Sequence, residues 1–209
     1  MAALASREGD WSTAPVSPVV GEERLRAEFY LLLAHLLARP PSAELLAHLA
    51  SLDGDASPLG TALGGLAQAA RATTPEAVST EFDVLFIGLG EGELLPYGSH
   101  YLSGFLHDKP LALLRGDLAR LEVASAENNP EPEDHVAALC EVMSGLIVGA
   151  FGGGPGLDEQ RAMFSAHLGS WMQHFFADLE TARSADFYKR VGALGRVFIA
   201  IEAEAFTLA

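Results

Sequence analysis

A chain of 209 residues with 13 lysines and arginines against 28 aspartates and glutamates carries a formal charge of −15. That balance argues against nucleic acid and against an anionic membrane surface, both of which need a basic footprint, and favours a basic ligand. With 49% hydrophobic residues the chain can bury a sizeable core, and its single cysteine, Cys140, excludes an internal disulfide or a cysteine-built metal site and fits a reducing compartment.

Residues 1–20 show no basic segment leading into an apolar one, and Pro15, Pro18 and the small polar residues around them give no periodic face. They are expected to be a disordered extension ahead of one helical domain over 21–209. The longest apolar block, Phe29 to Ala38, contains His35 and is about half of what spans a bilayer. The expected protein is cytoplasmic, with no stable membrane insertion.

Leu25, Phe29, Leu32 and Leu36 form a helical stripe that stops before Pro40-Pro41. Ser42 caps a second helix with Leu45, Leu46, Leu49 and Leu52 inward, ending at Gly54. A weaker third (Leu59, Leu63, Leu66) is interrupted by Gly64-Gly65. Thr74-Pro75-Glu76 opens a fourth, with Val78, Phe82, Leu85 and Phe86, closed by Gly88. A glycine-punctuated loop runs through Pro96-Tyr97-Gly98-Ser99-His100-Tyr101, and Pro110 begins a fifth helix with Leu111, Leu114, Leu118 and Leu121 inward. After Asn128-Asn129 a sixth carries Val136, Leu139, Cys140, Met143, Leu146 and Ile147, broken at Gly152–Gly156. A seventh carries Phe164, Leu168, Trp171, Phe175 and Leu179, and an eighth Phe187, Val191, Leu194, Phe198 and Ile201. The pattern predicts one all-α domain of roughly eight helices without internal repeats.

Candidate chemistry is sparse. The glycines at 88–92 follow a helix end, lack a lysine and sit beside Glu91 and Glu93, so they make a poor phosphate loop. His167 and His174 share a helical phase but lie two turns apart, too far to share a metal. Ser99-His100 has no strand–turn–helix context for a nucleophile, and Cys140 falls on an apolar face as an inert core thiol. No metal, no cofactor and no enzymatic activity are expected.

Glu131-Pro132-Glu133-Asp134-His135 reads first as a helix start, with proline in the first turn and carboxylates at the positive end of the dipole. Charge placement adds a second reading. Residues 81–135 hold eleven acids against three bases and are rich in apolar residues at helix and loop ends. An acidic rim around an apolar groove suits a peptide in which arginines precede a hydrophobic run. On this reading Asp134 stays ionised and faces the groove, while His135 ties the helix start to the 96–101 loop.

Phe82-x-x-Leu85-Phe86, Pro96-Tyr97-Gly98-Ser99-x-Tyr101 and Glu131-Pro132-Glu133-Asp134-His135 together make the chain resemble the TorD/DmsD redox-enzyme maturation chaperones. Phe29-Tyr30-Leu31-Leu32-Leu33, Pro40-Pro41, Trp171, Phe175-Phe176 and Phe187-Tyr188 extend the similarity over nearly everything after about residue 22. The resemblance implies an all-α cytoplasmic protein that binds the twin-arginine signal peptide and apo form of a molybdoenzyme subunit, delays export and assists cofactor insertion. It implies a peptide surface of Phe82, Leu85, Phe86, Pro96, Tyr97, Ser99, Tyr101, Pro132, Asp134 and His135; the long helices and Gly-rich connector leave monomer and homodimer both open. Some relatives carry tryptophan at the places of Phe82, Tyr97 and Tyr101. Glu93-Leu94-Leu95-Pro96-Tyr97 and Pro110-Leu111-Ala112 resemble the branch that serves formate dehydrogenase. The rival readings are a chaperone of a dimethyl sulfoxide or trimethylamine N-oxide reductase and a NarJ-like assembly factor for nitrate reductase.

Overall fold

The computed structural model describes residues 18–123, 131–151 and 156–208. Residues 1–17 of the extension expected over 1–20, the Asn128-Asn129 connector and most of the glycine run at 152–156 lie outside them, while residues 18–20 of that stretch are helical. The described residues form ten α-helices and no strand, in keeping with the all-α expectation.

Two of the first four helices, the second and the fourth, start at the caps expected from the sequence, whereas the first begins inside the stretch expected to be an extension and the third has a cap that was not expected. In α1, Pro18–Ala38, proline opens the helix and Pro40-Pro41 follows its end. Ser42 accepts from the Leu45 N–H ahead of α2, Ala43–Ala50; Ser57 accepts from Gly60 N–H in α3, Pro58–Ala72; and Thr74 accepts from Ala77 N–H in α4, Pro75–Phe82. These side chains satisfy first-turn donors that have no intrahelical partner. The glycines at 64 and 65 do not interrupt α3. Gly64 packs against Gly54, and a Cβ on Gly54 would collide with the Gly60 carbonyl, so small residues let α3 close onto the loop before it.

A π-helical turn, Asp83–Ile87, ends α4, with Gly88 N–H bonded to the Asp83 carbonyl at 2.7 Å. The remaining helices are α5 (Gly98–Ser103), α6 (Lys109–Arg120), α7 (Val136–Val148), α8 (Leu157–His167), α9 (Met172–Thr181) and α10 (Phe187–Leu208). The count exceeds the expected eight for two reasons. The six-residue α5 lies inside the stretch read as loop, and the predicted seventh helix is split into α8 and α9 at Gly169. There the N–H groups of Leu168 and Gly169 both bond to the Phe164 carbonyl, at 2.9 and 2.8 Å, and the chain turns.

The core forms where α1 packs on α7, α10 on α9 and α3, α2 on α3, and α7 on α8. Its largest fully buried side chains are Trp171, Tyr30, Tyr188, Phe175, Phe176 and Phe187. Two of their polar ends find backbone partners, as buried donors require: Tyr188 Oη donates to the Leu36 carbonyl at 3.0 Å and Trp171 Nε1 to the His167 carbonyl at 2.7 Å. The face of α1 differs from the predicted stripe. Ala27, Tyr30, Leu33, Ala34 and Leu37 are buried with Leu36, and Leu25 is exposed. Where a helix is apolar nearly all round, its partners choose the phase. Ile201 of α10 likewise faces out, and Ile199 and Glu202 take the interior. Cys140 is fully buried, and burial pushes its thiol pKa up, as befits a core residue.

Glu202, 1% exposed, receives Arg26 bidentately, from Nε and from one terminal nitrogen, each at 2.8 Å. Arg26 also contacts Glu23 at 2.8 Å and Gln160 of α8 at 3.3 Å, so one guanidinium joins α1, α8 and α10. Burial acts to lower the Arg26 pKa, but the hydrogen bonds and charges of Glu202 and Glu23 outweigh it and the side chain stays ionised. Removing one partner of a buried pair leaves an uncompensated charge, whereas replacing both with apolar groups of similar volume is close to neutral. Glu202→Ala is therefore expected to cost about 3 kcal/mol of stability by urea denaturation, and Arg26→Met with Glu202→Leu to recover most of it.

Candidate functional site

The acidic run at 131–135 and the loop entering α5 meet in a two-residue antiparallel bridge between Tyr97 and His135. Gly98 N–H donates to the Asp134 carbonyl at 2.9 Å, and Val136 N–H to the Pro96 carbonyl at 2.8 Å. Asp134 is 3% exposed, and its Oδ2 accepts the Ser99 N–H at 2.7 Å, capping the first turn of α5 from another part of the chain. His135 caps its own helix: Nδ1 accepts the Ala137 N–H at 3.1 Å at the start of α7. The side-chain roles are thus reversed from those expected. Asp134 points inward and ties the loop, not outward into a groove, and the His135 ring caps while its backbone makes the bridge. Pro132 also falls before the helix, in a turn where its carbonyl accepts the His135 N–H at 3.1 Å.

Further tethers fix α5 and α6 as an arm. Ser99 Oγ accepts the His107 N–H at 3.2 Å, and Ser103 Oγ donates to the Ser99 carbonyl at 2.9 Å. Arg115 of α6 bonds to Glu133 at 2.9 Å, and His167 of α8 pairs with Asp117 of α6 at 2.7 Å. That hydrogen bond is the first cause of a lowered Asp117 pKa. His174 is exposed on α9, so the two histidines belong to different helices and not to one, and the described residues contain no group of three metal-binding side chains.

The aromatic edge of the arm is held by acids as well. Tyr97 Oη donates to Glu131 at 2.7 Å and Tyr101 Oη to Asp178 of α9 at 2.9 Å. Burial first, and then these carboxylates, raise both phenol pKa values well above the ordinary range. The Tyr101 ring lies 5.5 Å from Trp171 and 6.0 Å from Phe175, and Tyr97 meets the His135 ring edge-on at 5.2 Å. Gly98 sits where a Cβ would reach 3.2 Å from Trp171 Nε1, which lets α5 lie flat on that indole.

Pro96, Tyr97, Ser99, Tyr101, Pro132, Asp134 and His135 are therefore brought together. Phe82, Leu85 and Phe86 form a separate group on the inner side of α4 and the π turn. Phe82 and Leu85 are buried, and the rings of Phe82 and Phe86 lie 5.8 and 5.4 Å from Tyr188 of α10. Two expected members of the acidic rim are likewise engaged inside the fold. Glu81 accepts the N–H groups of Asp186, Phe187 and Tyr188 at 2.8, 3.1 and 2.7 Å, and Glu93 those of Arg183 and Ser184 at 2.7 and 3.1 Å.

Sequence reading missed the apolar surface that the arm displays. Leu102, Phe105, Leu106 and Leu113 are all exposed, Phe105 at 72%. The available signal was one of phase: Leu113 lies off the Leu111, Leu114, Leu118 stripe, and 102–106 holds three large apolar residues outside any stripe. Clefts occur elsewhere, one of about 500 Å³ along α9 and α10 and one of about 220 Å³ between α3 and the start of α10. Neither is lined by the residues gathered here, so the candidate site is a surface and not a cavity.

Residues 52–177, more than half of the chain, match the family described as nitrate reductase delta subunit. The chain belongs to this family, that of the TorD and DmsD redox-enzyme maturation chaperones. Among curated relatives, the chaperone protein TorD of Vibrio atlanticus is 26% identical over 202 residues, 86% of this chain and 93% of that protein. TorD of Aeromonas salmonicida is 28% identical over 139 residues, 63% of this chain and 62% of that protein, so that match spans just under two thirds of the relative's length. A crystal structure of a protein assigned to redox enzyme maturation in Archaeoglobus fulgidus superposes with a TM-score of 0.54 at 18% identity, covering 93% of this chain and 99% of that one. That likeness shows the fold. As a member of a chaperone family the protein is not an enzyme, as the sequence led us to expect.

Two outcomes follow for the motif at 131–135. Asp134→Ala leaves the Ser99 N–H without its charged acceptor and is expected to lower stability by about 2 kcal/mol in urea melts, whereas Asp134→Asn keeps an acceptor oxygen and costs less. Burial, against the charges of Glu131 and Asp134, pulls the His135 pKa from 6.5 down to about 4. The folded state then holds fewer protons than the unfolded one between those values, so stability is full above pH 6.5 and falls as pH drops toward 4. The slope is at most about 1.4 kcal/mol per pH unit. His135→Asn retains a capping side chain and is expected to flatten this limb, read as urea midpoints across the same range.

Proposed function

We propose that this chaperone binds the twin-arginine signal peptide of a molybdoenzyme catalytic subunit in the cytoplasm, holding back export while the cofactor is inserted, and that its client is a formate dehydrogenase. The observation that carries this reading is the tethered α5–α6 arm. Exposed Leu102, Phe105, Leu106 and Leu113 stand beside a tyrosine edge in a chain of charge −15. An apolar run needs such a surface, and arginines ahead of it are attracted by the net acidic field. The names of the Vibrio and Aeromonas relatives support a chaperone role. The wording of residues 93–97 and 110–112 supports the client.

The family description, nitrate reductase delta subunit, favours a second reading, a NarJ-like assembly factor for a cytoplasmic nitrate reductase subunit. The two are separated by calorimetry with synthetic peptides. A formate dehydrogenase signal is expected to bind in the micromolar range or tighter. Replacing its two arginines with alanine is expected to weaken it at least tenfold. Binding is expected to loosen as salt rises, because exposed charges are screened beyond ~8 Å at physiological ionic strength. Tighter binding of a nitrate reductase N-terminal peptide lacking the arginine pair supports the second reading, and a preferred reductase signal reassigns the client.

A further inference from the structure

The stretch between Glu81 and Glu93 is pinned at both ends to one place. The two carboxylates grip the turn that opens α10, Glu81 through three backbone N–H groups and Glu93 through two. Between them the π turn and the glycine loop fold back on each other, with Glu93 N–H on the Val84 carbonyl at 3.2 Å and Leu94 N–H on the Leu85 carbonyl at 2.9 Å. Gly88 at φ 63° and Gly90 at φ 108° supply left-handed backbone that other residues resist. The loop is therefore a closed, anchored element.

What this element presents outward has no part in the fold. Phe82, Leu85 and Phe86 face the core, while Val84, Ile87 and Leu89 are exposed, Ile87 at 59% and Leu89 completely. Asp83 and Glu91 are exposed beside them. From residue 72 to residue 108 the chain contains no lysine or arginine. Arg183, across the Glu93 clamp at 3.8 Å, is the nearby base. A π turn is a rare departure from helical geometry that recurs at functional positions.

We propose that the outer face of this element, Val84, Ile87 and Leu89 with Asp83 and Glu91, is a docking surface for a peptide segment in which basic residues adjoin an apolar run. This rests on the proposed function and assigns a face distinct from the buried side of the same turn. Charge selects the occupant. An anionic bilayer would be repelled by Asp83 and Glu91, and a two-fold contact between copies would set this acidic face against the same acidic face, whereas arginines are attracted.

The test uses the full chain and the twin-arginine peptide of the previous section. Ile87→Ser with Leu89→Ser alters only exposed side chains, so the melting temperature is expected to hold while peptide affinity falls at least tenfold. Asp83→Asn with Glu91→Gln is expected to reduce the salt dependence of binding. Val148→Ser, an equally exposed apolar site on α7, is expected to leave affinity unchanged. Parental affinity in Ile87→Ser/Leu89→Ser overturns the docking surface and leaves the proposed function standing. Absence of peptide binding by the parent protein overturns both. Sedimentation showing that the double variant only dissociates a dimer, or flotation showing that it only releases phosphatidylserine vesicles, overturns the peptide as occupant.

Discussion

Asp134 is a carboxylate taken almost wholly out of water, and one backbone N–H of another segment, that of Ser99, is what its Oδ2 receives in return. Desolvating such a group is costly unless it is paired. The pairing works only if the first turn of α5 and the approach to α7 are brought to hydrogen-bonding distance. The bridge between Tyr97 and His135 does this with backbone alone, and the carboxylate then fixes the register. The positions of Tyr97 and Tyr101, the contact of Gly98 with Trp171, and the course of the chain into α6 all follow from that junction.

The same device recurs at the other end of the molecule's acidic segment. Glu81 and Glu93 also place carboxylates on backbone N–H groups, here in the turn before α10 and in its first turn. Negative charge at such a place satisfies donors with no intrahelical partner and meets the positive end of the helix dipole. A count of acids therefore overstates what is left for a ligand. Of the eleven in residues 81–135, several hold the chain together, and exposed ones such as Asp83 and Glu91 are the better candidates for attracting arginines.

Helix starts were legible because a cap is decided within four residues: Ser42 and Thr74 act where the sequence places them. Helix faces were less so. Leu25 and Ile201 were assigned inward because they continue a stripe, but α1 has apolar residues on several sides, and in α10 the buried Glu202 belongs to Arg26 and not to any hydrophobic pattern. The motif at 131–135 was found by its residue types, and its side-chain roles were misassigned for a related reason. Asp134 and His135 are neighbours in sequence, and which of them turns toward α5 depends on a partner about 35 positions away. The exposed leucines and Phe105 of the arm went unnoticed because a helical stripe is a signal for burial, and a residue that departs from it leaves only an absence.

An anchored surface, and not a cavity, is what a maturation chaperone needs physically. A client peptide must be held and then surrendered, so its ordering cost should not be repaid by deep burial. The α5–α6 arm and the 81–93 element both display large apolar side chains to water on backbone already fixed by carboxylate clamps. On the function proposed above, fixing the receptor in advance would leave the peptide to bear most of the entropic cost of association, keeping affinity moderate while the complementary pattern of charge and apolar surface would keep it selective. The clamps made by Asp134, Glu81 and Glu93 and the exposure of Phe105, Ile87 and Leu89 are thus two halves of one arrangement, in which fixed backbone holds apolar side chains out in water.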